Sequence, residues 1–375
     1  MDSLVRPTFF QRIADIGFKF CCLVFPALMI YIIIFDSDGC GDTPRDFKFF
    51  PIATGAAFGG ALLWSIIDKQ KKDYSRLHYA LQILVRYFLA YTIMTYGLAK
   101  VIDMQFPASL SGLDSTVADM RPMSVAWTFF GYSYSYEIFI GVGQMIACLL
   151  LVFRRTATLG ALLMATIMAN IVYVNFAFDV CVKFFSCTYL AMSLYLLLDD
   201  AVRLANFFIL NKPAEKRVYP TLFTGKKAGR IYKVVGVLAV LFVFIYPTYR
   251  TIKSKNEYGV GNHTKIFGVW AVDSMRSNSD SLHNRLASDS VGWKKIIFDD
   301  FNSSYTKNWK TWAGSYSYTI NDTQSLITMQ QVYPDSSVLI KVNYKLDKDT
   351  LYLSGLYNTD SIYTKLRLQR KYFLR

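Results

Sequence analysis

Seven stretches of this chain are apolar over close to the length a helix needs to cross a bilayer, and nothing else in the sequence restricts its fold as strongly. A spanning helix takes roughly 20 mostly apolar residues, because lipid offers no partner to a backbone polar group. The stretches lie at about 16–35, 49–67, 80–102, 128–153, 157–179, 184–198 and 231–247. The sixth is the shortest, and only a few residues around Asp179 to Lys183 separate it from the fifth. Composition agrees: 53% of the 375 residues are hydrophobic and 18% charged, whereas soluble domains carry about 25% charged residues. That balance excludes a disordered chain, and six cysteines in this length exclude a small disulfide scaffold. The expected fold class is a membrane all-α bundle of about seven spans over residues 1–247, followed by a domain of another kind.

The net charge of +14 has a topological explanation. Lys and Arg favour cytoplasmic loops. An N-in start places Arg6, Arg12 and Lys19, the loop DKQKKDYSRLHY, the pair Arg154/Arg155 and the basic stretch from Arg203 to Lys233 on that one side. A nucleic-acid partner is therefore not needed to account for the basic pI. Seven spans from that start put the C-terminal domain outside. The first apolar run follows a charged, Pro-containing segment without a small-x-small cleavage site, and it reads as a signal anchor.

After Pro247 the composition shifts to Asn, Ser, Thr, Lys and Tyr with period-two alternation, the mark of antiparallel strands with one buried face. In VLIKVNYKL, Val338, Ile340, Val342, Tyr344 and Leu346 share a side. IFGVWAV, WKKIIF, WAGSYSYTI, SLITMQ, LYLSGL and SIYTKLRLQ supply further strands. Seven or eight short sequential strands over residues 256–375 predict a small antiparallel β-barrel or a flattened sandwich. Gly268-Val269-Trp270 on the first strand, with Arg367 or Arg370 on the last, resembles the lipocalin pattern. That resemblance implies a barrel whose base is closed by an Arg over Trp270, Arg367 being the first choice.

Ionisable groups inside a bilayer are costly and point to function. At helical spacing Arg86, Tyr96, Lys100 and Asp103 form a stripe on the third span. Glu137 and Gln144 share a face of the fourth, and Asn175 and Asp179 one of the fifth. With Tyr134 nearby, these residues are candidates for a polar, aromatic-lined pocket in the outer leaflet. The alternative is structural pairing near helix ends, Lys100 with Asp103 and Asp179 with Lys183, where snorkelling makes charge cheap.

The run from Arg86 through YGLAK to Lys100, a fourth span with polar residues, RRTATLGALL and two closing helices resemble the DoxX family of small bacterial membrane proteins over residues about 80–200. The resemblance implies a four-helix core, an inner-membrane location with the C-terminal domain periplasmic, and a connection to quinone or thiol redox complexes. The family's Lys matches Lys100. Gln144 stands where relatives often carry Glu, which places a proton role there in doubt.

Cys21, Cys22 and Cys148 fall within spans, whereas Cys40, Cys181 and Cys187 lie at the outer side. A periplasm permits Cys40 to bridge Cys181 or Cys187. DSDGCGD resembles a calcium loop, but Phe47 occupies the position of its bidentate Glu, so no metal site is expected. P-loop, GxGxxG, GxSxG and HExxH motifs are missing. Two functions follow: a redox-associated subunit binding quinone or lipid non-covalently, or a non-enzymatic accessory subunit of a cell-envelope complex whose β domain binds a protein or lipid partner. The topology predicts that a reporter active only outside the cytoplasm works when fused at residue 375 and fails when fused after residue 75; the reverse pattern refutes the N-in arrangement.

Overall fold

The computed structural model describes residues 9–35, 41–68, 73–106, 109–217, 219–222, 225–258, 263–277, 292–299, 302–308, 312–333, 338–358 and 360–370. It resolves into two compact units that interleave along the chain. One comprises Met1–Ile102 and Ile138–Thr251, the other Asp103–Glu137 and Ile252–Arg375.

The first unit is helical. Its elements are α1 (Phe9–Phe35), α2 (Pro44–Ile67), α3 (Ser75–Val101), most of α6 (Tyr134–Val152), α7 (Ala157–Ala177), α8 (Lys183–Leu198), α9 (Ala201–Phe208) and most of α10 (Lys226–Tyr258). Thr43 and Asp46 form a reciprocal capping box ahead of α2, with Pro44 in its first turn. Val24, Leu28, Ile32, Leu89, Ile93, Met164, Met168 and Met192 make the centre of the core. Helices α3 and α6 cross at Gly97 and Gly141, where a Cβ on either residue would stand 3.0 or 2.7 Å from the other's carbonyl oxygen. Only glycine permits that approach.

Five described helices are long and apolar enough to cross a membrane, Gln11–Phe35, Pro44–Ile67, Tyr134–Val152, Ala157–Ala177 and Lys227–Glu257, and the expected sixth span makes six only if α8 and α9, bent by 76°, count as one. The expected third span forms α3 but falls outside this set. It is largely enclosed by its neighbours and buries Gln82, Arg86, Thr92 and Lys100 together with Val85, Leu89 and Ile93. A helix shielded by other helices does not need a lipid-compatible circumference. The expected fourth span, 128–153, is two helices, α5 (Pro122–Tyr132) and α6, separated at an extended Ser133. The expected last span does not stop at Pro247. α10 continues through it, while Thr248 Oγ1 and Thr251 Oγ1 donate to the Phe244 and Pro247 carbonyls at 2.6 and 2.7 Å. Hydroxyls bonded to helix carbonyls are a usual accompaniment of Pro within apolar helices.

The second unit contains a closed antiparallel barrel in simple sequential order, β1 (Gly268–Ser277), β2 (Lys295–Phe298), β3 (Ser303–Lys307), β4 (Trp312–Asn321), β5 (Leu326–Tyr333), β6 (Leu339–Asp347), β7 (Thr350–Tyr357) and β8 (Asp360–Leu368). β1 and β8 complete the ring, with a bulge between Val272 and Ser274. Closure leaves no edge strand. Ile296, Phe298, Tyr316, Tyr318, Ile327, Met329, Ile340, Val342, Leu351, Leu353 and Leu366 fill the interior. β3 escaped the alternation test because its inward residues are Ser304 and Thr306, while Tyr305 faces outward. At the other end of the VLIKVNYKL stripe, Leu346 is exposed.

This unit is more than the C-terminal domain. α4 (Leu110–Asp114) covers the outside of the sheet, where Leu110 and Leu113 pack on Val269, Ile297, Phe267 and Tyr305. Asp114 pairs with Lys295 and, at 3.6 Å, with Lys307. Asp299 Oδ2 accepts from Ser109 Oγ at 2.8 Å and from the Ser111 amide at 3.1 Å. The segment expected to be a connector is thus a component of the barrel unit.

Trp270 is 1% exposed and donates its indole N–H to the Ile266 carbonyl at 2.7 Å. The expected Arg cover is not formed. Leu366 points inward on β8, so period-two alternation turns Arg367 outward, where it pairs with Asp273 at 3.0 Å. Arg370 is likewise exposed and pairs with Asp349 at 2.6 Å. Trp270→Ala should therefore cost about 3–5 kcal/mol by opening a core cavity, and Arg367→Ala less than about 1 kcal/mol. Calorimetry of the full chain checks both, and a larger loss for Arg367 would restore it as the closing residue.

Candidate functional site

Of the nine residues proposed from the sequence, Arg86, Tyr96, Lys100, Gln144, Asn175 and Asp179 belong to the helical unit and Asp103, Tyr134 and Glu137 to the barrel unit. Arg86 turns to the backbone: its Nε and Nη2 donate to the Leu151 and Val152 carbonyls at 2.8 and 2.9 Å. The last carbonyls of a helix lack partners within it, so Arg86 is a C-cap supplied by α3 to α6. Lys100 is 6% exposed and packs against Gly141, while Gln144 lies one turn away beside Gly97, so the glycine crossing brings these two onto one seam. Tyr96 offers its carbonyl to Lys100 Nζ at 3.5 Å. Asn175 is buried on α7.

Asp179 follows the structural alternative. It is exposed and pairs with Lys183 at 2.7 Å, while Asp42 accepts from the Lys183 and Phe184 amides at 3.0 and 3.1 Å and caps α8. Asp103, Tyr134 and Glu137 belong to the barrel unit. Asp103 has a left-handed backbone (φ 58°) two residues after α3. Tyr134 is exposed, and Glu137 is fully buried and accepts from the Phe106 amide at 3.3 Å. Cys181 is disulfide-bonded, Cys187 carries a free, exposed thiol, and Cys40 lies outside the described residues. No group of three or more His, Cys, Asp or Glu suited to a metal occurs among the described residues.

The densest polar assembly of the helical unit is one the sequence reading missed. At the corner between α8 and α9, Asp200 is fully buried. Thr158 Oγ1 donates to it at 2.5 Å and Arg217 Nη1 at 2.6 Å, and Arg203 donates as well. Its neighbour Asp199 accepts from Gln82 Nε2 at 2.6 Å and Arg217 Nη2 at 3.2 Å, with His78 Nε2 at 2.9 Å. Arg217 also donates to Gln82 Oε1 at 3.0 Å. The segment carrying Arg217 is held again by Arg203 Nε on the Glu215 carbonyl at 2.7 Å and by Tyr219 OH on the Arg154 carbonyl at 3.0 Å. Arg154 stacks over the Tyr219 ring at 3.8 Å. Tyr79, Gln82, Arg86, Thr158, Arg217 and Tyr219 line a narrow cleft here, with room for about one water.

Asp199 and Asp200 are met by Arg203, Arg217 and His78 from within the protein, which makes the assembly a clamp rather than a receptor for an ion. The partners are 121 residues apart for His78 and Asp199. The local sequence gave one signal, the pair Asp199-Asp200 ending an apolar run with Arg203 three residues on.

A second closed set lies between α1 and the end of α2. Lys19, 1% exposed, pairs with Asp15 at 2.7 Å and Asp68 at 3.3 Å, and sits 5.8 and 5.7 Å from the Trp64 and Tyr74 rings.

Burial alone would raise the Asp199 carboxyl, but hydrogen bonds from His78 and Gln82 and the charges of His78 and Arg217 outweigh it and hold the group below its usual value. A depressed carboxyl contributes stability that is present above the unfolded value of about 3.9 and is lost as pH falls through the folded value. Stability of the wild type should therefore drop more steeply below about pH 4 than that of Asp199→Asn, as followed by denaturation at stepped pH. Parallel curves would show that Asp199 makes no such contribution.

The chain is similar to the uncharacterised protein YwoB of Bacillus subtilis, with 41% identity over 123 residues, which is 33% of this chain and 79% of that protein. No family model matches the sequence. No solved structure matches it either.

Proposed function

We propose that this chain, which belongs to the family of the uncharacterised protein YwoB of Bacillus subtilis, is a non-enzymatic accessory subunit of a cell-envelope complex. In this reading it sits in a bacterial inner membrane with the N-terminus cytoplasmic. The helices anchor it beside other membrane proteins, and the barrel unit meets a protein or lipid partner on the periplasmic side. The observation that carries the reading is the use made of buried charge. Arg86 caps a helix, Lys19 is held by two carboxylates, and Asp200 is held by two arginines and a threonine. A catalytic or transporting site keeps such groups aimed at a cavity; here each is bonded to groups of the protein, and the cleft beside Arg86 and Arg217 has room for about one water. The barrel interior is likewise occupied by its own side chains.

A second reading keeps the DoxX-like redox role. Gln144 Oε1 and Asn175 Nδ2 are buried without a hydrogen-bond partner, and a buried orphan of this kind costs about 1–3 kcal/mol. Their chemistry suits a quinone: Asn175 would donate to a carbonyl, and Gln144 would accept from the hydroxyl of the reduced form. A bound quinone would supply the two-electron carrier that the side chains do not provide.

Gentle extraction of the full chain from its native membrane, with cross-linking, separates the two. The accessory reading expects protein partners in fixed ratio and no retained quinone. One quinone per chain, lost in Asn175→Leu and unaccompanied by any protein partner, would replace it with the redox reading.

A further inference from the structure

The helix α9 has its polarity turned inside out. Arg203 faces the protein, bound to Asp200 and the Glu215 carbonyl, and Leu204, Ala205 and Asn206 beside it are partly covered. Val202, Phe207 and Phe208 point away, 72%, 60% and 64% exposed, and Ile209 and Leu210 extend the same surface. A helix on a water-facing surface does the opposite and buries its apolar side. The apolar surface is also continuous with that of α8, whose Leu194 and Leu198 are exposed.

Length and angle narrow what covers it. α8 has 16 residues, about 24 Å by helical rise, and runs from the polar level of Asp42 and Lys183 to that of Asp199 and Asp200. It already accounts for most of a hydrocarbon core of about 30 Å. α9, with eight residues, is about 12 Å long and too short to cross. It leaves α8 at 76°, and the buried Asp200 clamp holds the corner by linking α9 (Arg203), α7 (Thr158) and the following segment (Arg217).

We infer that α9 is an interfacial helix. It lies flat in the headgroup and upper acyl region of the leaflet at the Asp199 end, with Val202, Phe207 and Phe208 immersed in lipid, and the Asp200 clamp sets its angle. The occupant of its exposed face is the bilayer itself. The polar contacts on the protein side and the apolar contacts on the lipid side hold it in register with the bilayer surface, so the corner fixes the depth at which the helical unit rides. The inference goes beyond the accessory reading and holds under either function.

Depth measurement on the full chain in lipid nanodiscs tests it. A nitroxide is attached at Phe208→Cys, and separately at Val202→Cys, in a background with Cys21, Cys22, Cys148 and Cys187 changed to Ala. Leu194→Cys and Lys216→Cys serve as membrane and aqueous references. Both positions are exposed on the protein, so neither label disturbs packing. Relative collision with oxygen and a water-soluble nickel chelate should place both labels about 5–10 Å below the phosphates, shallower than position 194. Labels as accessible to nickel as position 216 would put α9 in water and overturn the inference. Labels deeper than position 194 would make α9 part of a broken span and overturn it equally. In the clamp variant Asp200→Asn, circular dichroism confirming retained helix, the two labels should diverge in depth as the corner loosens; unchanged depths would remove the clamp from the inference.

Discussion

Lipid does not solvate polar groups, and most of the helical unit follows from that single constraint. A charge or a helix terminus placed among lipid-exposed helices must find its partner within the protein, however distant in sequence that partner is. Arg86 of α3 meets the terminal carbonyls of α6. Lys19 of α1 meets Asp68 beyond α2. Asp200 gathers Thr158, Arg203 and Arg217. Each contact ties elements that short apolar contacts alone would leave free to slide, since apolar side chains pack against lipid tails nearly as well as against each other. The glycine crossing of α3 and α6 adds the complementary device, a place where small residues bring backbones close enough for dispersion to act.

The barrel unit obeys the other regime. Its strands meet water on one side, so one face is apolar and the ring closes to remove edges. Where its outer surface is apolar, at Val269 and Ile297, the chain supplies a cover from residues 109–114, more than 150 residues earlier in sequence. Lys295 and Lys307 meet Asp114 at the rim of that cover. The unit is thereby assembled from two stretches with most of the helical unit's sequence between them, and the barrel strands alone are an incomplete portion of it.

Two strap-like segments, 103–137 and the one carrying Arg217 and Tyr219, are held by side chains whose partners lie far away in the chain. Buried ion pairs are weak contributors to net stability but strong selectors of one arrangement, because breaking one leaves an uncompensated charge. In this chain they join segments that lie apart in sequence.

Sequence by itself determined the local and periodic features. Apolar run length gave the helical membrane unit, and period-two alternation gave the antiparallel strands, because each is a statement about one element and its surroundings. It located α7 and α8 closely and missed β3, whose inward hydroxyls carry no apolar signal. It identified Trp270 as a core residue but misplaced Arg367, because an arginine's face depends on strand register. It offered the pairing of Asp179 with Lys183 as the alternative to a pocket, and that pair forms, but across the turn between α7 and α8 rather than along one helix. Only the tertiary structure decided that Arg86 caps another helix, that Asp199 and Asp200 sit in a clamp with His78, Gln82 and Arg217, and that residues 103–137 complete the barrel unit. Those partners meet across 65 residues for Arg86 and more than a hundred for His78 and Gln82 with Asp199, or across a turn whose direction no local pattern encodes, and their pairing is settled by which burial arrangement leaves the fewest polar groups without a partner.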